Sequence, residues 1–221
     1  MRHDLQAQLD QLLTRVVAMS ERADAMLGEA LQALEVSDLE AARRVVVADD
    51  ELDRAYEQVQ QGVLAVVALH GPVAGDLRLL TALIHVSLHL ERMGDYASGV
   101  ARTVERVRDL PADEALTGQL LEMGTRAREV AHAAMQAFVH RDVEHARACA
   151  RLDDDVDRLN LGIFHRLVRL ASQDEHRLEW ATHMIQLARL LERFADHGVD
   201  IAEQTVFVAT GRTVELSASE R

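Results

Sequence analysis

Lysine is absent from this chain of 221 residues, and all of its basic side chains are arginines. Cysteine occurs once, at Cys149, which excludes an intramolecular disulfide and any cysteine-built metal cluster and fits a reducing compartment. There are 2 prolines and 11 glycines, so helix breakers are scarce. Aromatics make up 3%, which leaves an aliphatic core. The longest apolar run, Val63 to Leu69, falls far short of the roughly 20 residues that a membrane-spanning helix needs. Behind Met1-Arg2-His3-Asp4 comes a polar amphipathic segment with nothing like a signal-peptide core. The expectation is a soluble cytoplasmic protein. Neither a Gly-rich phosphate loop nor a nucleophile elbow is found.

Positive charge is also in deficit. Aspartate and glutamate number 37 against 24 basic residues, a net charge of −13. Such a surface repels phosphate backbones and anionic lipid, so direct nucleic-acid binding is not expected and membrane association would run only through partners.

What is present is helix former: Ala, Leu, Glu, Arg and Gln dominate. Punctuation divides the chain into six segments. The first runs from about Leu5 to Leu34. Ser37 with Glu40 reads as a capping box opening the second, and Gly71-Pro72 as its stop plus a first-turn proline. The third spans about Val73 to Val107. Asp109-Leu110-Pro111 opens the fourth, His140-Arg141-Asp142 separates the fourth from the fifth, and Ser172 with Glu175 opens the sixth, which fades near Gly211.

The second half repeats the first. Asp38 to Arg54 laid over Asp142 to Arg158 gives 8 identities in 17 positions. Glu91, Arg92 and Asp95 lie over Glu192, Arg193 and Asp196 with an offset shorter by three, and the change falls in an inter-helix turn. The expected fold is all-α: two tandem, sequence-related three-helix bundles forming an elongated six-helix protein. The expected bounds are 1–109, 110–212 and a frayed tail at 213–221.

The repeat carries acidic pairs four residues apart: Asp49 with Asp53, Glu91 with Asp95, Asp153 with Asp157, Glu192 with Asp196. That spacing puts both carboxylates of a pair on one helix face, where they repel. A single pair is uninformative in so acidic a chain. Here both halves keep both pairs, and the pairs interrupt apolar stripes such as Ala42, Val46, Tyr56, Val63 and Val67, or Ala146, Ala150, Phe164 and Leu167. Antiparallel neighbours would gather four carboxylates in each half. A bound cation compensates them best, and oxygen donors suit Mg²⁺, Mn²⁺, Ca²⁺ or iron, with Zn²⁺ a further borderline candidate. Two alternatives remain. Paired carboxylates could do acid–base work, although nothing in the sequence indicates a substrate cavity. Arg54, Arg92, Arg158 and Arg193 could neutralise the pairs, although their positions turn them mostly off the ligand face. His85, His89 and His183 read as packing or surface residues, Trp180 and Phe194 as core, Cys149 as a small buried apolar residue.

The combination resembles the PhoU family, accessory and regulatory proteins of the phosphate-specific transport system. Asp76-Leu77-Arg78 followed by Leu90-Glu91-Arg92-Met93-Gly94-Asp95 is similar to one signature, Asp49-Asp50-Glu51-Leu52-Asp53 to the acidic motif before it, and Glu192-Arg193-Phe194-Ala195-Asp196-His197 with Asp200-Ile201-Ala202-Glu203 to the second signature. The resemblance implies metal clusters at Asp49, Asp53, Glu91 and Asp95 and at Asp153, Asp157, Glu192 and Asp196. It also implies a cytoplasmic, non-enzymatic regulator that restrains phosphate uptake and signalling by contact with the phosphate ABC transporter and its sensor histidine kinase, and that forms a homodimer. The chain departs from the family pattern at Tyr96, where His is common, and at Gly99 and Asp200, where Asn is common. The second site is thus the richer in ligands. Glu179 stands where Arg78 would repeat.

Overall fold

A computed structural model describes residues 2–216, and six long helices fill nearly all of that span. They are α1 (Arg2–Val36), α2 (Leu39–His70), α3 (Ala74–Val107), α4 (Glu114–His140), α5 (Val143–Gln173) and α6 (Leu178–Thr210), with a single 3₁₀ turn at Glu175–Arg177 before α6. Among the described residues there is no strand, and no helix is long and apolar enough to cross a membrane.

The caps correct the sequence reading in detail. Ser37 takes a left-handed turn (φ 56), and Asp38 caps α2 by accepting from the backbone N–H groups of Glu40 and Ala41. Pro72 lies before α3 instead of in its first turn, behind the left-handed Gly71 that terminates α2. Ser172 belongs to α5, and Asp174 starts the 3₁₀ turn by accepting from His176 N–H. Local spacing identified the punctuation, but an aspartate competes well with serine for the same orphan N–H groups. The expected frayed tail divides. Residues 217–221 lie outside the described residues. Over 213–216 the chain folds back: Leu216 N–H donates to Glu203 Oε1 at 2.8 Å, and Val214 and Leu216 pack against the core.

Within each half, short turns make sequence neighbours antiparallel. The direction shows in the ladder of pairs Arg22–Glu51 and Arg44–Glu29 between α1 and α2, and Arg43–Glu105 between α2 and α3. The halves then pack side by side. Helix α3 touches α1, α2 and α6, and α6 touches α3, α4 and α5. Along the α3–α6 seam Arg78 faces Val208, His89 faces His197 and Gly99 faces Leu190, so these helices also run antiparallel. Arg78 Nε donates to the Val208 carbonyl at 3.5 Å, near the end of α6, where a helix leaves carbonyls unpaired.

Buried aliphatic residues of both halves form one continuous core, with Trp180, Phe194, Leu83 and Met123 among its largest members and Cys149 inside it. Burial pushes the Cys149 thiol up to about 11, so it behaves as an apolar filler. Phe164 and Val67, expected on buried stripes, are 43% and 38% exposed. Val66 is buried beside Val67, and Ile163 and Leu167 are buried on either side of Phe164, so the buried stripe runs past these two side chains and leaves them turned outward.

Candidate metal centres

Helix periodicity builds the first acidic set. Asp49 lies on α2 and one turn on comes Asp53, while Glu91 and Asp95 are one turn apart on α3. Gly94 lets the helices close here. A Cβ at this position would come within 2.5 Å of Leu52 Cδ2 and 3.3 Å of Asp49 Oδ1. Asp49 is buried, and neither its Oδ1 nor Glu91 Oε2 has a hydrogen-bond partner. Burial raises both carboxyls above their ordinary values, and the charges of Asp53 and Asp95 add to each rise. The Ser98 hydroxyl lies close enough to favour the Asp49 charge, yet it too lacks a bond of good geometry.

Arginine reaches this set, contrary to the sequence expectation. Arg92 Nη1 lies 3.1 Å from Asp95 Oδ2 and its Nε 3.4 Å from Glu91 Oε2. From one face further along α3, Arg102 comes within 3.9 Å of Asp49 Oδ2. Arginine's length explains the miss: a side chain rooted off the face can still bend its fork back over it. Asp53 itself is exposed.

The second set is the mirror of the first in sequence and its opposite in compensation. Asp153 and Asp157 lie on α5, Glu192 and Asp196 on α6. Among the described residues no arginine forms an ion pair with any of these four. Arg158 turns instead to Asp155. Asp153 Oδ1 is buried without a partner. Burial, then the charges of Asp157, Asp196, Asp154 and Glu192, pushes Asp153 up to about 7. Asp196 stays exposed, yet the surrounding protein, then Glu192 and Asp157, lifts it to about 6. Burial also raises Asp157, with Asp154 contributing. A cavity of about 750 Å³ opens over this set, lined by Asp153 and Asp196 and closed on one side by residues 213–216. Spacing along the chain does not reveal it, because the returning segment that walls it was read as frayed.

The structure therefore draws each set of four into one electrostatic neighbourhood. It does not close either into a tight nest: among the described residues, the group of three donors lying within 4.8 Å of one another is His89, His197 and Asp200. Those three sit on the α3–α6 seam. His89 and His197 Nδ1 are 2.9 Å apart, and Asp200 Oδ2 is 2.9 Å from His197 Nδ1 and 3.3 Å from His89 Nδ1. Tyr96 stacks on His197 and places its hydroxyl 3.2 Å from Nε2. Burial lowers His89 to about 4, against the opposing pull of Asp200. Asp200 is itself lowered: burial works against its charge, but the His197 hydrogen bond and the charges of His89 and His197 outweigh it. Sequence reading set His89 aside as a packing residue. It counts His197 and Asp200 as added ligands of the second site; what the sequence could not signal was His89 meeting them from the other half, 108 positions away.

The donor chemistry of the two acidic sets fits a hard or borderline cation. Three buried carboxylate oxygens, on Asp49, Glu91 and Asp153, accept no hydrogen bond, and burial first, with neighbouring carboxylate charge added, raises these carboxyls above their ordinary values. Such groups would be relieved by positive charge placed between the helices.

Comparison with known proteins bears on the whole chain. The model of the PhoU domain matches it twice, over residues 16–104 and 120–205, one match in each half. The chain belongs to the PhoU family. Among its relatives, a phosphate-specific transport system accessory protein PhoU homolog of Clostridium acetobutylicum is 26% identical over 96% of this chain and 97% of its own length. Homolog 1 of Mycobacterium leprae is 32% identical over 96% and 95%. Among solved structures, the phosphate transport system regulatory protein PhoU from Streptococcus pneumoniae superposes with a TM-score of 0.89 at 25% identity, covering 96% of this chain and all 100% of that one. PhoU from Pseudomonas aeruginosa gives a TM-score of 0.87 at 26% identity over 94% and 99%. The all-α, six-helix PhoU fold is thus shared from end to end.

Proposed function

We propose that this protein is an accessory regulator of phosphate transport that acts by protein–protein contact, without catalysis of its own. The observation that carries the reading is the end-to-end match to relatives named phosphate-specific transport system accessory proteins. The contacts would be with components of the phosphate ABC transporter and with its sensor histidine kinase, in the cytoplasm, and would restrain uptake and signalling. A homodimer is part of the same proposal, as is the division of the repeat at residues 109 and 110.

Asp49, Asp53, Glu91 and Asp95 would hold metal in the first half, and Asp153, Asp157, Glu192 and Asp196 in the second. Iron, manganese, magnesium or zinc ions bound there would supply the positive charge that the carboxylates lack. The chain's own part is structural. Asp49 and Glu91 face one another across α2 and α3, Asp153 and Asp196 across α5 and α6. Each set controls how firmly an outer helix is held to the central pair. Long outer faces then present one surface to a partner.

The test is a strain in which this chain is the sole PhoU protein. Its removal should raise phosphate uptake at high external phosphate, and affinity capture of the tagged chain should recover transporter subunits. Unchanged uptake together with capture lacking them would sink the reading. For the metal, Glu91→Ala with Asp95→Ala should lower the metal content by mass spectrometry; equal content would end that assignment. A second reading, a carboxylate-bridged metalloenzyme, draws on the cavity over Asp153 and Asp196. It predicts turnover of a phosphoester or of oxygen that disappears in Asp153→Asn and Asp157→Asn.

A further inference from the structure

We propose a third cation site, separate from the acidic sets, in which His89, His197 and Asp200 bind one divalent ion of the zinc class across the α3–α6 seam.

The geometry is that of a ligand face. The three donor atoms His89 Nδ1, His197 Nδ1 and Asp200 Oδ2 are separated by 2.9, 2.9 and 3.3 Å. Donors held about 2.0 to 2.2 Å from a zinc ion, at right to tetrahedral angles, lie about 2.9 to 3.4 Å from one another. One point just above this triangle is therefore within bonding distance of all three. Two imidazoles and one carboxylate select a borderline transition cation such as Zn²⁺, Co²⁺, Fe²⁺ or Cu²⁺, where oxygen-only sets favour Mg²⁺ or Ca²⁺.

The surroundings complete the site. Tyr96 stacks on the His197 ring and lies 3.2 Å from Nε2. With the ring as the Nε2–H tautomer, His197 donates to the Tyr96 oxygen and turns its Nδ1 lone pair toward the triangle. That is the second-layer support metal-bound histidines use. The histidines are shielded, with 18% and 21% side-chain exposure, while Asp200 at 41% stays open. Tyr96, His197 and Asp200 line the 750 Å³ cavity, which gives an ion its way in and leaves room for water on the open side.

The ligands come from both halves of the repeat: His89 is on α3, His197 and Asp200 on α6. A cation here would staple the halves together. None of the eight carboxylates of the acidic sets is a ligand here, although Asp153 and Asp196 line the same cavity.

Metal-free protein, full length, is loaded with Zn²⁺, passed over a desalting column, and its zinc counted by mass spectrometry. Wild type should retain one more ion per chain than His89→Gln or His197→Gln. Tyr96→Phe should keep the ion with affinity lowered about 10-fold. Asp153→Asn with Asp157→Asn should keep it too, so failure of the acidic sites reads out separately. Pulsed electron paramagnetic resonance of wild type loaded with half an equivalent of Cu²⁺ should show two coordinated imidazoles, falling to one in His89→Gln. The wild-type spectrum stands even if a variant does not fold. Equal zinc content in wild type and both folded histidine variants, or a Cu²⁺ spectrum without imidazole nitrogens, would overturn the site.

Discussion

Arg128 of α4 grips Asp24 of α1 in a fork: Nε donates to Oδ1 and Nη2 to Oδ2, each at 2.7 Å. The pair joins the halves through α1 and α4, a different helix pair from the α3–α6 seam of the His89–His197 contact. Both side chains keep more than a third of their surface, so water and salt weaken the interaction. Arg128→Ala should cost about 1 kcal/mol in urea unfolding, and the coupling with Asp24→Ala should be about 0.5 to 1 kcal/mol. Raising the salt to about 1 M should shrink that coupling. Arg128→Lys should recover less than half of it, because lysine cannot make the two parallel bonds.

Gly198 marks a close approach of α6 to α4. A Cβ there would meet Val130 Cγ1 at 3.0 Å and the Ala131 backbone at 3.2 and 3.3 Å. In an open helix Gly→Ala gains up to about 1 kcal/mol. At Gly198 backbone would have to move, and Gly198→Ala should instead destabilise by about 1 to 3 kcal/mol. Gly118 in α4 is exposed with nothing within 4 Å of a Cβ, so Gly118→Ala should stabilise. Thermal melts of the two variants check the opposite signs.

In metal-free protein, Asp153 and Asp196 bind protons up to about pH 7 and about pH 6 in the folded state. Unfolded, they release them near their ordinary value of 3.8. Between those limits the folded state holds more protons, so their contribution to stability falls as pH rises. His89, lowered to about 4, acts in the reverse sense between about 4 and 6.5. The clean readout is a difference: wild-type stability minus that of Asp153→Asn should decline from pH 4 to pH 7. A flat difference would show that Asp153 titrates normally.

The two acidic sets should fill unequally. Arg92 and Arg102 already offset the first set, while among the described residues the second has no arginine partner. At limiting Mn²⁺, Asp153→Asn should lower bound metal more than Asp49→Asn, by mass spectrometry of the same preparations. Equal losses would place the affinity elsewhere than in the uncompensated charge.

Much of this was legible because the repeat is. Punctuation divided the chain into six helices, the alignment of Asp49 to Arg54 with Asp153 to Arg158 matched the acidic pairs of the two halves, and the expected core placement of Trp180, Phe194 and Cys149 agrees with their burial. What escaped the sequence was side-chain reach and inter-half packing. Arg92 bends back to Asp95, His89 meets a residue more than a hundred positions away, and the 213–216 segment returns to Glu203. Periodicity reports which face of a helix a residue starts from. It carries no information about which other helix lies opposite.

The antiparallel α3–α6 seam gives one chain a dyad of its own. Helices α2 and α5 become the outer members on either side, each touching only its own half. The outer helices of the two halves are therefore equivalent positions of one repeat, carried on either side of a shared central pair.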